Sequence, residues 1–213
     1  IDKYMTPFLS PGSSKGFTNR QIQEILPEHN QGICVTPQLL TCRSQDFIWA
    51  AKELKQLGYK EVNLNLGCPS GTVTAKKKGS GFLAYPEELN EFLFQIYEKV
   101  DMKISIKTRL GKEEPEEFYH LLSIYNQYPV SELIIHPRVQ KEFYKGSPHW
   151  DVSGEGAKRS AKPVCYNGDL KSIKDYKRFH EEYPRIETVM IGRGLITNPF
   201  LAWQIAKGGT GIE

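Results

Sequence analysis

Residues 61–68 read Glu61-Val62-Asn63-Leu64-Asn65-Leu66-Gly67-Cys68. Apolar and amide side chains alternate, so Val62, Leu64 and Leu66 share one face of an extended strand and Asn63 and Asn65 the other. In an all-parallel sheet both faces are covered, and a polar residue inside a strand needs a reason. A buried amide without partners costs about 1–3 kcal/mol, so the two asparagines require a polar network or a ligand on the concave face. A purely structural pair, bonded to neighbouring strand ends, meets the same requirement. Asn65 lies nearer the C-terminal end of the strand, where a ligand is the stronger reading.

On either side of this strand the same rhythm recurs. Strand-like runs cover Lys3–Phe8, Gly32–Leu39, Met102–Lys107, Glu132–His136, Pro163–Asn167 and Thr188–Ile191. Between them lie helical patterns. Asp46–Leu57 puts Phe47, Ala50, Ala51 and Leu54 on one face, and Pro86–Val100 opens on proline and two acids before a Phe92, Ile96, Val100 stripe. Pro115–Tyr125 and Lys171–His180 are shorter versions. Gln140–Lys162 is polar and Gly-rich, with a helix expected over only part of it. Seven strands spaced by roughly 25–40 residues predict successive βα units in a parallel sheet. An open doubly wound sheet rarely needs seven, and no GxGxxG follows the first strand. The predicted fold is therefore a (β/α)8 TIM barrel incomplete at the N-terminus, with the missing strand expected before Ile1.

Composition narrows the function classes. The 213 residues carry 28 Lys+Arg against 25 Asp+Glu, a net charge of +3 that is compatible with nucleic acid without pointing to it. Apolar runs such as Leu133–Ile135 fall far short of the roughly 20 residues of a membrane span. Cys34, Cys42, Cys68 and Cys165 form no CxxC pair, so no metal site is expected. Free thiols fit a reducing cytosol and a cytoplasmic location. Cys34 and Cys42 read as structural.

Barrel chemistry sits at the C-terminal ends of the strands. There the sequence places Gln38, then Asn65 and Cys68, then Lys107 and Arg109, then His136 and Arg138. Two cations at one strand end suit an anionic or electron-rich ligand, although a solvated rim pair is the plainer alternative. The last two strands end in Asn167-Gly168-Asp169 and Gly192-Arg193-Gly194, and glycine-bearing loops at those positions favour a phosphorylated cofactor or substrate. A thiol at the mouth, with an ordinary pKa near 8.5, can donate a proton at neutral pH. The loop from Ser70 to Gly81 carries Lys76, Lys77 and Lys78, read either as a solvated turn or as a flexible flap that tracks phosphates.

Taken in order, these segments resemble the tRNA-dihydrouridine synthases, flavin-dependent (β/α)8 barrels. The resemblance rests on Pro37-Gln38, Asn65-Leu66-Gly67-Cys68-Pro69, Gly79-Ser80-Gly81 and Lys107-Thr108-Arg109-Leu110-Gly111. It continues through His136-Pro137-Arg138, Tyr144-Lys145-Gly146 before Trp150, Asn167-Gly168-Asp169, and Gly192-Arg193-Gly194 before Asn198-Pro199. It spans nearly the whole chain. It implies FMN at the barrel mouth, with Gln38 and Lys107 at the flavin ring, His136 beside it, and Asn167, Gly168, Asp169, Gly192 and Arg193 holding ribityl and phosphate. Cys68 would be the proton donor, and Asn65 and Arg109 would contact a flipped uracil; on the flap reading of the basic loop, Lys76, Lys77 and Lys78 would meet the RNA. NADPH is the implied hydride source, tRNA the implied partner and a monomer the expected state.

Two departures accompany the resemblance. The family's first strand, with its Ala-Pro-Met type segment, and its C-terminal helical domain have no counterpart, so residues 1–213 are expected to form only the FMN-binding barrel domain, strands two to eight. Two other readings stay open on the sequence: an FMN-dependent dehydrogenase of a free pyrimidine, resembling dihydroorotate dehydrogenase, and a non-catalytic RNA-binding barrel.

Overall fold

The computed structural model describes residues 1–12 and 15–208. Its elements run β1 (Tyr4–Met5), α1 (Asn19–Ile25), β2 (Val35–Thr36), β3 (Gln38–Leu39), α2 (Ser44–Gln56), β4 (Glu61–Leu66), α3 (Gly71–Thr74), α4 (Pro86–Lys99), β5 (Lys103–Arg109), α5 (Glu117–Tyr125), β6 (Leu133–His136), α6 (Trp150–Arg159), β7 (Val164–Tyr166), α7 (Ile173–Glu182), β8 (Thr188–Val189), α8 (Arg193–Thr197) and α9 (Leu201–Ala206). All pairings are parallel, and β3 to β8 lie in sequence order. The expected βα rhythm is therefore present.

β2 and β3 are two halves of one expected strand. Pro37 between them has no N–H, which interrupts the ladder without turning the chain. On one side β1 pairs with β2, and Leu9 continues beside Leu39, its N–H on the Gln38 carbonyl at 2.7 Å. On the other side β3 pairs with β4. The barrel is incomplete: among the described residues no ladder joins β8 to β1.

Alternation sorts the two faces as the sequence requires. Val62, Leu64 and Leu66 are fully buried under the helices, beside Phe47, Ala50, Ala51 and Leu54 of α2 and Leu89, Phe92, Leu93 and Ile96 of α4. Burying a side chain of this size contributes about 1.5–3 kcal/mol. Inside, Asn63 is also fully buried, and its cost is met locally: Gln38 Nε2 donates to Asn63 Oδ1 at 2.8 Å and Asn63 Nδ2 donates to Ser105 Oγ at 3.0 Å. Asn63 is thus a structural amide.

Helix α4 begins where Pro86, Glu87 and Glu88 predict. Gln140–Lys162, expected to be only partly helical, yields the ten-residue α6. Gly154 and Gly156 there allow close packing, since a Cβ would come within 2.1 Å of Tyr183 and 2.4 Å of Phe118 respectively. Its first residue, Trp150, anchors a second cluster by donating to Tyr166 Oη at 2.7 Å and meeting Phe179 edge-on. Among the described residues no helix is long and apolar enough to cross a membrane.

Candidate active site

A cavity of about 310 Å³ opens where the strands end, lined by residues within β3 to β6 and by residues that follow β1, β4, β6, β7 and β8. Gln38, Asn65, Cys68, Lys107, Arg109, His136, Asn167, Gly168, Asp169, Gly192 and Arg193 all reach it. Eleven residues singled out from sequence thus converge on one space.

The floor is built by side-chain bonds between neighbouring strands. Gln38 Oε1 accepts from Asn65 Nδ2 at 2.6 Å while its own Nε2 serves Asn63. Asn65 Oδ1 accepts the backbone N–H groups of Gly67 and Cys68, both at 3.0 Å. Asn65 is therefore spent largely on shaping the turn that presents Cys68, with one N–H left for the cavity. From the other side, Ser80 donates both N–H and Oγ–H to the Cys68 carbonyl at 3.0 Å. Gly79 (φ +58°) must be glycine here: a Cβ would stand 2.6 Å from that carbonyl and 3.0 Å from Cys68 Cβ. The Gly79-Ser80-Gly81 segment thus works as a clamp on the Cys68 turn.

Lys107 Nζ lies beside Gly67, 3.8 Å from where a Cβ on that glycine would be. Burial, reinforced by repulsion from Arg109, pushes its ammonium down to about 8. Arg109 is fully buried, donating Nε–H to the Gly67 carbonyl at 2.8 Å and Nη1–H to the Val139 carbonyl at 3.0 Å. Its Nη2 is buried with no partner, an uncommon deficit worth about 1–3 kcal/mol that a ligand acceptor would relieve.

The loop after β6 adds a ring that the sequence reading left without a role. Tyr144 stacks at 5.9 Å on His136 and lies under the guanidinium groups of Arg193 (4.9 Å) and Arg109 (5.3 Å). Burial, then Arg109, Lys107, Arg138 and Arg193, hold the His136 imidazole down at about 2, so the ring is neutral. Asp169 accepts from Arg138 Nη2 at 2.6 Å and also from Arg193 Nη2. Burial alone would raise its pKa, but the two arginines outweigh that and keep it below the usual carboxylate range. Asp169 thus touches the cavity as a brace between two cations. Asn167 ties β7 to β8 by donating to the Met190 carbonyl at 2.8 Å. A Cβ on Gly192 would meet nothing within 4 Å, open space at the mouth of the cavity.

Phe8, Gly67, Tyr144, Leu170, Lys171 and Gly194 also line the cavity without having been assigned a role. Lys171 and Gly194 extend the two Gly-bearing strand ends and were recoverable from them; Tyr144 lies in an irregular loop whose path no local pattern fixes.

The three lysines expected to meet the RNA stand outside the cavity, on an ordered segment. The segment folds as α3 followed by a 3₁₀ turn over Gly79–Ala84, and none of its lysines lines the cavity. Lys77 pairs with Glu88 at 2.9 Å over the Tyr85 ring, and Lys78 donates to Ser10 Oγ at 3.1 Å. Lys76 is exposed, its carbonyl accepting from Cys42 Sγ. The glycine clamp on Cys68 is what orders the stretch. Cys34, read as structural, has an exposed side chain, while its carbonyl accepts the Tyr4 N–H at 2.8 Å.

Lys107, the unpartnered Arg109 Nη2, Arg193 and Lys171 around a glycine-edged mouth form a donor set suited to a planar, electron-rich group with a phosphate tail. FMN fits that description.

Residues 12–211 match the dihydrouridine synthase (Dus) family. The chain belongs to that family. It is 33% identical over 164 residues to a probable tRNA-dihydrouridine synthase of Staphylococcus aureus strain Mu50, covering 74% of this chain and 49% of that protein. It is 31% identical over 159 residues to a tRNA-dihydrouridine(16) synthase of Aquipseudomonas alcaligenes, covering 74% and 50%. The chain spans about half the length of the curated relatives it matches. Among solved structures it resembles N-(5'-phosphoribosyl)anthranilate isomerases from Pyrococcus furiosus (TM-score 0.60, 12% identity, 99% of this chain and 89% of that one) and Thermococcus kodakaraensis (0.59, 14%, the same coverage). At that identity the likeness speaks for the TIM-barrel fold alone.

Proposed function

We propose that this barrel is the FMN-binding catalytic domain of a tRNA-dihydrouridine synthase, which reduces the C5–C6 bond of uridines in tRNA, with NADPH as reductant. The observation that carries the reading is the meeting of Cys68, Lys107, the unpartnered Arg109 Nη2 and the Arg193 mouth in one cavity of a chain that belongs to the Dus family. A barrel that merely binds RNA has no need of a buried guanidinium nitrogen without a partner on a residue that lines the same cavity as a thiol.

FMN, when bound and reduced, supplies the hydride that adds to C6 of the uracil. The protein's own part is placement and proton supply. Gln38 and Lys107 hold the ring end of the cofactor, Lys107 offsetting the negative charge of its reduced form. Asn167, Gly168, Gly192 and Arg193 receive the ribityl and phosphate end, with Asp169 steadying Arg193. Arg109 Nη2 and the remaining Asn65 N–H orient the uracil and stabilise charge that develops on its oxygens. Cys68 carries a proton on Sγ and delivers it to C5. The Cys68 N–H donated to Asn65 and the two Ser80 donors on the Cys68 carbonyl fix where that thiol stands.

The test is made on full-length protein. Bound flavin is read from its visible absorbance, and dihydrouridine is measured in unmodified tRNA with NADPH. Orotate and free uracil serve as competing substrates. Flavin binding with tRNA reduction supports the reading; turnover of a free pyrimidine alone, or no flavin at all, rejects it.

A further inference from the structure

Arg138 is fully buried at the end of β6 and spends its guanidinium on four acceptors. Nε donates to the Lys145 carbonyl at 3.0 Å, Nη2 to the Gly146 carbonyl at 2.7 Å and to Asp169 Oδ2 at 2.6 Å, and Nη1 lies 3.2 Å from His136 Nε2. A guanidinium can only donate. His136 Nε2 must therefore be the bare nitrogen of a neutral imidazole, and the ring proton sits on Nδ1. The opposite tautomer would set two N–H groups against each other inside the protein.

The surroundings oppose a second proton from every side. Lys107 and Arg109 face the ring from β5, Arg193 from beyond β8, and Arg138 from its own strand. The Tyr144 ring covers it. The nearby carboxylate, Asp169, is committed to Arg138 and Arg193. No protein acceptor for Nδ1 is found among the described residues, and His136 lines the cavity.

We propose that Arg138 is a positioning residue that locks His136 as a neutral Nδ1–H donor toward the cavity. The ligand bound there must present an acceptor, a carbonyl oxygen or an unprotonated ring nitrogen, and His136 serves neither as acid nor as base. Only the identity of that ligand rests on the proposed function; the lock is a property of the protein.

The test needs no substrate or cofactor. Full-length protein labelled with ¹⁵N-histidine is followed by long-range proton–nitrogen NMR, with His136→Gln identifying the resonances. The expected wild-type spectrum has a protonated Nδ1 and an unprotonated Nε2, unchanged from pH 8 to about 5, although an ordinary histidine titrates near 6.5. A protonated Nε2, or a midpoint above pH 5.5, overturns the lock. In Arg138→Met the tautomers should mix and the midpoint should rise by about two units or more toward the ordinary value. Arg138→Lys keeps the charge but not the fork, and should also lose the pure tautomer. Retention of the wild-type pattern in Arg138→Lys shows that the fork is not the cause and rejects the assignment to Arg138. Should Arg138→Met not fold, the wild-type and Arg138→Lys spectra decide. Failure of tRNA reduction or flavin binding would leave these spectra unaltered, so the two readings fail separately.

Discussion

Replacing Asn65 by alanine separates its two roles, because three of its hydrogen bonds lie within the protein. Truncation leaves Gln38 Oε1 and the N–H groups of Gly67 and Cys68 without their partner. At about 1 kcal/mol net for each, the expected loss is about 3 kcal/mol. For a domain of this size that corresponds to about 6–12 °C in Tm. Asn65→Asp keeps an oxygen for the Gly67 and Cys68 amides and loses only the bond to Gln38, where two oxygens would then face each other. It should cost less than Asn65→Ala. Thermal denaturation gives both numbers, and the rate of Cys68 alkylation by a small maleimide reports whether the turn has loosened. Both variants should abolish uridine reduction. If Asn65→Ala melts within 2 °C of wild type, with an unchanged alkylation rate, then Asn65 does not hold the Cys68 turn.

Cys68→Ala should retain flavin binding and lose about 10²–10⁴-fold in tRNA reduction, measured under single turnover; an unchanged rate removes Cys68 as proton donor. Gly79→Ala forces an L side chain into φ +58° and against the Cys68 carbonyl; a cost of about 2–4 kcal/mol is expected in chemical denaturation. Lys107, whose ammonium is pushed down to about 8 in the fold against 10.5, binds its proton more weakly folded than unfolded. Its contribution to stability should therefore rise with pH between about 8 and 10.5, a slope absent in Lys107→Met, while FMN affinity should fall across pH 8 as the cation is lost. Equilibrium unfolding and flavin titrations over pH 7–10.5 check both signs. Lys76→Ala and Lys77→Ala should leave FMN affinity unchanged, since neither side chain lines the cavity; a fall in that affinity would place these lysines at the cofactor.

The sequence by itself determined the fold class and most of the cavity. Period-two alternation in residues 61–68 assigned Asn63 and Asn65 to the inner face, and the βα rhythm put the ends of β5 to β8 on one side of the sheet. Both are local or repeated patterns, and a barrel converts strand-end position directly into spatial proximity. What each polar atom touches was decided by the tertiary structure. Asn63 is structural because Gln38 and Ser105 flank it across two ladders, and Asn65 spends its carbonyl on the Cys68 turn. The three lysines sit in a sequence that promises a flexible basic loop, yet Gly79 and Ser80 fasten that loop to Cys68, and Glu88, on a different element, neutralises Lys77. Tyr144 and the Arg138 fork depend on a loop that comes back over β6, and the path of such a loop follows from packing between distant segments that no short pattern encodes.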